Sequence, residues 1–215
     1  MTTTPDTRTR WILDRLAPFA AAQGMTYLAR QRQFRAMTIS GFRALIVSLS
    51  HYATDSVLEL HLGLRHDGIE RTAFRYTNGL TAFAPDSLSL VVSTAKLRRR
   101  KYDRYTIAAE QDAEGATADL LAWLDEAAPK FWETHTTVSA IDAALNDHPE
   151  TATWLMPNQQ LRCLRGLVAA RYAQRPDWAT LIPVYRAQLV EHHAPPPLLD
   201  GYERLVDFLR TYTPN

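Results

Sequence analysis

Hydrophobic and polar residues alternate along residues 42–65 (FRALIVSLSHYATDSVLELHLGLR), which is the clearest pattern in the chain. A period of two is typical of strands with one buried face, so this segment predicts two long strands joined by a turn at residues 53–56. The antiparallel register that best matches apolar positions pairs Leu45 with Leu64, Val47 with Leu62, Leu49 with Leu60 and His51 with Leu58. The other face then carries Ser48, Ser50, Glu59, His61 and Arg65. A slip of one residue would mix the two faces, so the pattern determines which side chains face the core, with His51 at its edge.

Shorter patterns on both sides extend this hairpin into a larger sheet. Residues 5–23 predict a helix that stops at Gly24 and either kinks or restarts at Pro18. Residues 25–31 and 34–39 predict strands, and Ser40–Gly41 predicts the turn into the long hairpin. Further strands are predicted at residues 69–76, 87–93 and 104–108.

Helical periodicity replaces the alternation from residue 112 onward. Apolar residues recur at three- and four-residue steps in segments 120–132, 138–145, 161–172, 178–189 and 198–209. Pro129 is expected to interrupt the first of these segments, and Pro157, Pro176 and the prolines at 195–197 separate later ones. Strands followed by helices indicate an α+β fold, with an antiparallel meander sheet and an N-terminal helix followed by a helical C-terminal half. We expect residues 1–111 to form the sheet region, and residues 112–215 to pack on it or form a helical subdomain.

Composition excludes several classes of protein. With 215 residues and 46% hydrophobic content, the chain can bury a sizeable core. The polar N-terminus lacks the apolar stretch of a secretory signal, and no apolar run is long enough to span a bilayer. The one cysteine, Cys163, cannot form an intrachain disulfide, and its helical position predicts no chemistry. A cytoplasmic protein without a membrane partner is therefore expected.

Charge is distributed unevenly although the net charge is only +1. Residues 1–110 contain 16 Lys/Arg and 9 Asp/Glu, whereas residues 111–215 contain 8 and 14. This asymmetry indicates either two regions with different surfaces or a basic face that meets an acidic partner.

The basic loop, residues 96–105 (KLRRRKYDRY), is the densest charge feature. Arg98, Arg99, Arg100, Lys101 and Tyr102 are candidate partner-binding residues, and Arg30 and Arg32 in another predicted hairpin are candidates to extend the patch. Guanidinium groups form paired hydrogen bonds with carboxylates, so an acidic protein suits this surface. Nucleic acid is an alternative, because cations bind phosphates and tyrosine stacks on bases, although the near-neutral chain argues against it.

A hydrolytic site is the remaining alternative. Glu59 and His61 lie two residues apart on one strand, so the carboxylate can orient the histidine as a general base. An ordinary solvated sheet face is the preferred interpretation, because the pair lacks a nucleophile or a third partner. No phosphate-binding glycine loop, nucleophile elbow or metal-binding histidine or cysteine motif is present, and no cofactor or metal is expected.

The order of segments resembles a family of uncharacterised bacterial α+β domains. The features that carry the resemblance are an N-terminal helix, QGMTYLARQRQFRA, the meander IVSLSHYATDSVLELHLGLR, and helices around CLRGLVAARYAQRPDWATLIPVYRAQL. Proteins of this style also resemble immunity proteins, which neutralise a toxin by binding it, and the resemblance implies no catalytic residues. The sequence therefore predicts a non-catalytic protein–protein interaction module of immunity or adaptor type, and leaves its partner and oligomeric state open.

Overall fold

The structure, a computed structural model, describes residues 4–77 and 79–213 and confirms the α+β class. Within these residues, six strands form one antiparallel sheet in the order β1-β2-β3-β4-β5, and β6 also pairs with β4. The strands are β1 (Thr26–Leu28), β2 (Gln33–Thr38), β3 (Gly41–His51), β4 (Ser56–His66), β5 (Leu90–Ser93) and β6 (Tyr105–Ile107). The helices are α1 (Pro5–Ala22), α2 (Asp67–Phe74), α3 (Thr94–Leu97), α4 (Glu110–Thr134), α5 (Val138–Asn146), α6 (Gln159–Tyr172), α7 (Leu181–Glu191) and α8 (Pro196–Thr211). Short 3₁₀ helices occupy Thr81–Asp86 and Trp178–Thr180.

The β3–β4 hairpin keeps its predicted faces, but its register at the turn differs by two residues. The leucines and valine predicted to face the core are buried: Leu45, Val47, Leu49, Leu58, Leu60, Leu62 and Leu64. The Tyr52 amide donates to the Asp55 carbonyl at 2.9 Å, so only residues 53 and 54 form the turn. His51 therefore faces Ser56, whose Oγ lies 2.8 Å from its Nδ1, and it is exposed rather than at the edge of the core. Because side chains alternate with a period of two, this shift leaves every residue on its predicted face.

The strand predicted at residues 69–76 is wrong, because this segment is helix α2. Its buried residues, Ile69, Glu70, Thr72 and Ala73, follow helical rather than alternating spacing. The His66 side chain caps its N-terminus by accepting from the Ile69 amide, and Asp67 and Glu70 lie in its first turn. Acidic residues in the first turn favour a helix because they interact with the positive end of its dipole.

Two prolines lie inside helices that continue through them. The predicted interruption at Pro129 is wrong, since α4 is continuous from Glu110 to Thr134, and α1 likewise runs through Pro18. A proline removes one helical hydrogen bond. In α4, Leu124, Ala128, Phe131 and Trp132 are buried on both sides of the proline, and their packing compensates for that bond.

Contacts divide the chain into two compact units, each built from two stretches of chain. The first unit comprises residues 1–63 and 92–133, and the second comprises residues 64–91 and 134–215. These are not the predicted segments 1–111 and 112–215, because α4 groups with the N-terminal strands.

The core of the first unit combines α1, α4 and the inner face of the sheet. Ile12 and Leu16 of α1 are fully buried, as are Leu120 and Leu124 of α4. Near the end of α4, the Trp132 indole donates to the Gly63 carbonyl at 3.1 Å, which ties the helix to β4.

The second unit is organised around α6, whose residues 162–170 are all buried. Gly166 permits this packing, because a Cβ there would lie 2.5 Å from Asn146 Oδ1 and 2.9 Å from the Tyr185 ring. The fully buried Arg162 donates to the carbonyls of Leu145 and His148 and thereby satisfies the C-terminal end of α5.

Candidate interaction surface

The basic loop begins in the second half of the short helix α3 and ends at the first residue of β6, all within the first unit. The Ser93 hydroxyl caps α3 by accepting from the Lys96 amide at 3.4 Å. Arg99 then adopts a left-handed backbone conformation, with φ of 55°. This conformation turns the chain away from the helix direction, and is uncommon for a residue with a Cβ.

A network of ion pairs holds the base of the loop. Arg98 Nη1 donates to both oxygens of Asp103 at 3.2 Å and to the Tyr105 hydroxyl at 2.8 Å, while its Nη2 donates to Asp119 at 2.9 Å. The Arg98 and Asp103 side chains are only 7% and 2% exposed. Arg100, which is 48% exposed, also approaches Asp103 at 3.2 Å and Asp119 at 3.4 Å. The loop therefore has a defined conformation, set by one buried arginine.

Burial and hydrogen bonds shift the pKa values of Asp119 and Tyr105. Donation from Arg98, and then from the Tyr105 hydroxyl, holds the pKa of Asp119 well below its ordinary value. Burial raises the pKa of Tyr105, and its bonds to Asp119 and Asp103 raise it further. Asp119 is therefore charged and the Tyr105 phenol is protonated at neutral pH, which is the state that allows the phenol to donate to this carboxylate.

The exposed cluster, defined as Arg99, Lys101, Tyr102 and Arg104, lies on the outside of the loop. The Tyr102 ring is 61% exposed and has the Lys101 ammonium 5.4 Å and the Arg104 guanidinium 5.5 Å from its centroid. Arg104 also pairs with Glu59 at 2.9 Å. Among the residues that the structure describes, no carboxylate pairs with Arg99 or Lys101. These two cations are available to a partner, next to an exposed aromatic ring.

The predicted residues of the basic loop thus fall into an exposed group and a group held by the ion-pair network. Arg99, Lys101 and Tyr102 are exposed, whereas Arg98 belongs to the buried network and Arg100 is partly held by it. Arg104 joins the exposed cluster although it was not among the predicted binding residues. Asp103 lies inside the run of cations, so its pairing with a neighbouring arginine could have been predicted from the sequence. Asp119 lies far from this run, and no sequence pattern connects it to Arg98.

Arg30 and Arg32 are exposed in the turn between β1 and β2. Arg32 Nη1 lies 3.4 Å from the Leu49 carbonyl and its φ is 51°. Strands β3 and β4 lie between β2 and β6, which separates their backbones by roughly 14 Å at ordinary strand spacing. The extension of the exposed cluster to Arg30 and Arg32 therefore stays a prediction.

Glu59 and His61 lie on the same face of β4, as predicted from their spacing. Glu59 is engaged by Arg104, and the His61 ring makes no hydrogen bond within the described residues. Burial lowers the pKa of His61, and the charge of Glu59 raises it in partial compensation. The ring is therefore neutral at pH 7, but the geometry does not provide the oriented histidine that a general base requires.

Other potential reactive groups are buried or isolated. Burial raises the pKa of the Cys163 thiol to about 12, so no thiolate is present at neutral pH. In the part of the chain that the structure describes, no group of three or more His, Cys, Asp or Glu is placed to hold a metal ion. No helix among residues 4–77 and 79–213 is long and apolar enough to cross a membrane.

Comparison of the chain with protein-family models, with curated proteins and with solved structures gave no match. The resemblance to immunity-type domains therefore stays a prediction.

Proposed function

We propose that this protein is a non-catalytic binding module that recognises an acidic surface of a partner protein through the exposed cluster. The observation that carries the proposal is the contrast between adjacent arginines. Arg98 is buried in an ion-pair network that holds the loop, and Arg99 and Lys101 extend from that loop without a carboxylate partner in the described residues.

Preorganisation makes such a loop suitable for binding. Ordering a flexible loop during association consumes free energy, and a loop that is already held in place avoids that cost. Tyrosine and arginine are also enriched at protein interfaces, because they combine a large contact area with directional hydrogen bonds. Tyr102 and the flanking cations supply both properties.

The narrower form of the proposal, an immunity-type role in which the partner is a toxin, rests on the resemblance of the sequence. We retain the cytoplasm as the proposed compartment. A hydrolytic role for Glu59 and His61 receives no support, because Arg104 engages the carboxylate and the described residues place no hydrogen-bonding partner on the histidine.

Affinity capture from a lysate of the native host tests the proposal with two matched variants. The loop variant combines Arg99→Glu with Lys101→Glu, and the control variant combines Arg10→Glu with Arg204→Glu. Both variants change the net charge equally, and Arg10 and Arg204 are exposed residues outside the loop. Arg98 is left unchanged, because its reversal would disrupt the buried network instead of testing the surface.

The proposal predicts one dominant protein that the wild type and the control variant retain and the loop variant loses. This protein should remain after nuclease treatment. Recovery that disappears with nuclease would instead favour nucleic acid, and equal recovery by both variants would show that the exposed cluster is not the binding surface.

A further inference from the structure

An apolar cleft of about 460 Å³ lies in the second unit, next to the start of α6. Its walls include Phe74, Leu88, Val91, Met156 and Leu161. Phe83 also lines it, and its side chain is 62% exposed. Small-molecule sites are typically concave, have a mainly apolar lining and contain a few polar groups, with volumes of about 300–1,000 Å³. This cleft has the size and lining of such a site.

Arg165 supplies the buried polar group of the cleft. Its Nε and Nη2 donate to the two oxygens of Glu70 at 2.7 and 2.8 Å, and Glu70 also accepts from the Ser89 hydroxyl at 3.0 Å. The Arg165 side chain is only 5% exposed. Among the described residues, no group accepts a hydrogen bond from its third nitrogen, Nη1. This nitrogen is not fully buried and Arg165 lines the cleft, so an acceptor on a ligand can replace water there and form a charge-assisted hydrogen bond.

The charges at the cleft select against an anionic ligand. Glu70 pairs with Arg165 and neutralises its charge, so the pair offers an anion no net positive charge. A carboxylate placed beside Arg165 would also approach the Glu70 carboxylate and be repelled by it. An ammonium group would lie next to the guanidinium and be repelled by its positive charge. A neutral acceptor, such as a carbonyl oxygen, is repelled by neither the carboxylate nor the guanidinium.

Asn158 provides a second donor beside the apolar wall. Its Oδ1 accepts from the Leu161 amide at 3.0 Å, which caps α6 and leaves the Nδ2 group for other contacts. Two donors and an apolar lining match a molecule with one acceptor head and an apolar body.

We propose that this cleft binds a small neutral molecule with an apolar body and a carbonyl head group, of the acyl amide or acyl ester class. The site lies in the second unit and is independent of the exposed cluster in the first.

The test titrates full-length protein with octanamide, octanoate and octylamine, which share a chain length and differ in charge. Methyl NMR signals of Leu88, Val91 and Leu161 report binding at the cleft walls. We expect octanamide to shift these signals saturably and to bind at least about tenfold more tightly than either charged analogue. Absence of saturable shifts, or equal or tighter binding of octanoate or octylamine, would overturn the proposal.

Filling variants provide the control for location. Leu161→Trp and Leu88→Trp each place a large ring in the cleft, and Leu199→Trp makes the same change at a half-buried leucine of α8 that does not line it. Octanamide binding should be lost in both filling variants, as seen at the Val91 methyls, and kept in the Leu199 variant. Retained affinity in a folded filling variant would show that the ligand binds elsewhere.

Discussion

Arg98 and Arg99 are neighbours of the same residue type with opposite surroundings. Arg98 makes hydrogen bonds to Asp103, Tyr105 and Asp119, and its side chain is 7% exposed. Arg99 extends into solvent from a left-handed backbone position. The first arginine therefore stabilises the fold, whereas the second contributes charge to the surface.

Replacing each arginine by alanine should separate these roles. Arg98→Ala leaves the buried Asp103 with fewer donors, and we expect a loss of about 1–3 kcal/mol in the free energy of unfolding. Arg99→Ala should change it by less than about 0.5 kcal/mol, as is usual for exposed sites. Urea unfolding of the two variants measures the difference, and equal losses would contradict the assignment of Arg98 to a buried network.

His61 offers a second test at the scale of single residues. Burial lowers its pKa below the ordinary 6.5 while Glu59 opposes that shift, so Glu59→Gln should lower the pKa further. Because the folded pKa is lower than the unfolded one, His61 costs stability as the pH falls below about 6.5. NMR titration of the ring protons follows both effects. A midpoint above 6.5, or a rise in Glu59→Gln, would contradict the described environment.

At the scale of elements, the pair formed by Glu70 and Arg165 joins α2 to α6 inside the second unit. Burial alone would raise the pKa of Glu70, but the charge and hydrogen bonds of Arg165 hold it below its ordinary value. Removing one member of a buried pair leaves the other charge without compensation, which is more costly than losing an exposed pair.

Glu70→Gln should therefore reduce the free energy of unfolding by about 3–5 kcal/mol at pH 7. Glu203→Gln removes an exposed pair with Arg186 and should cost less than about 1 kcal/mol. The contribution of Glu70 is present above its unfolded pKa of about 4.5 and is lost as the pH falls through the lower folded value. Denaturant unfolding at several pH values checks this, and a difference between wild type and Glu70→Gln that persists in acid would contradict it.

The sequence predicted some of these elements well because their signals are local. Alternation in β3 and β4 assigned the buried leucines correctly, since the side-chain period of two does not depend on the turn. The register shift came from the turn, where a backbone bond between Tyr52 and Asp55 selects a shorter loop. Helix α2 was not predicted because one of its buried positions is the charged Glu70, which interrupts the apolar pattern. Burial of Glu70 is compensated by Arg165, which lies far away in the sequence.

The candidate site was predicted only in part, because some of its contacts join residues that are distant in the sequence. The run of cations identified the loop, but Arg98 also pairs with Asp119 in α4, and no local pattern in the sequence connects these two residues. Division of the basic loop into buried and exposed arginines therefore required the tertiary structure.

For the whole molecule, charge is more balanced than the sequence halves indicate. The first unit contains 14 Lys/Arg and 12 Asp/Glu, and the second contains 10 and 11. The reason is that α4 belongs to the first unit, where its Asp119 and Glu110 pair with Arg98 and Arg15. A local cluster, rather than a basic half, is consequently the feature that an acidic partner would recognise.

The affinity of the captured partner at low and high salt tests this account most directly. With purified partner, the Arg99→Glu and Lys101→Glu double variant should bind at least about tenfold more weakly than wild type and lose most of its salt dependence. The Arg10→Glu and Arg204→Glu control should keep both the affinity and the salt dependence of the wild type. Equal affinity and equal salt dependence for the two double variants would contradict recognition through the exposed cluster.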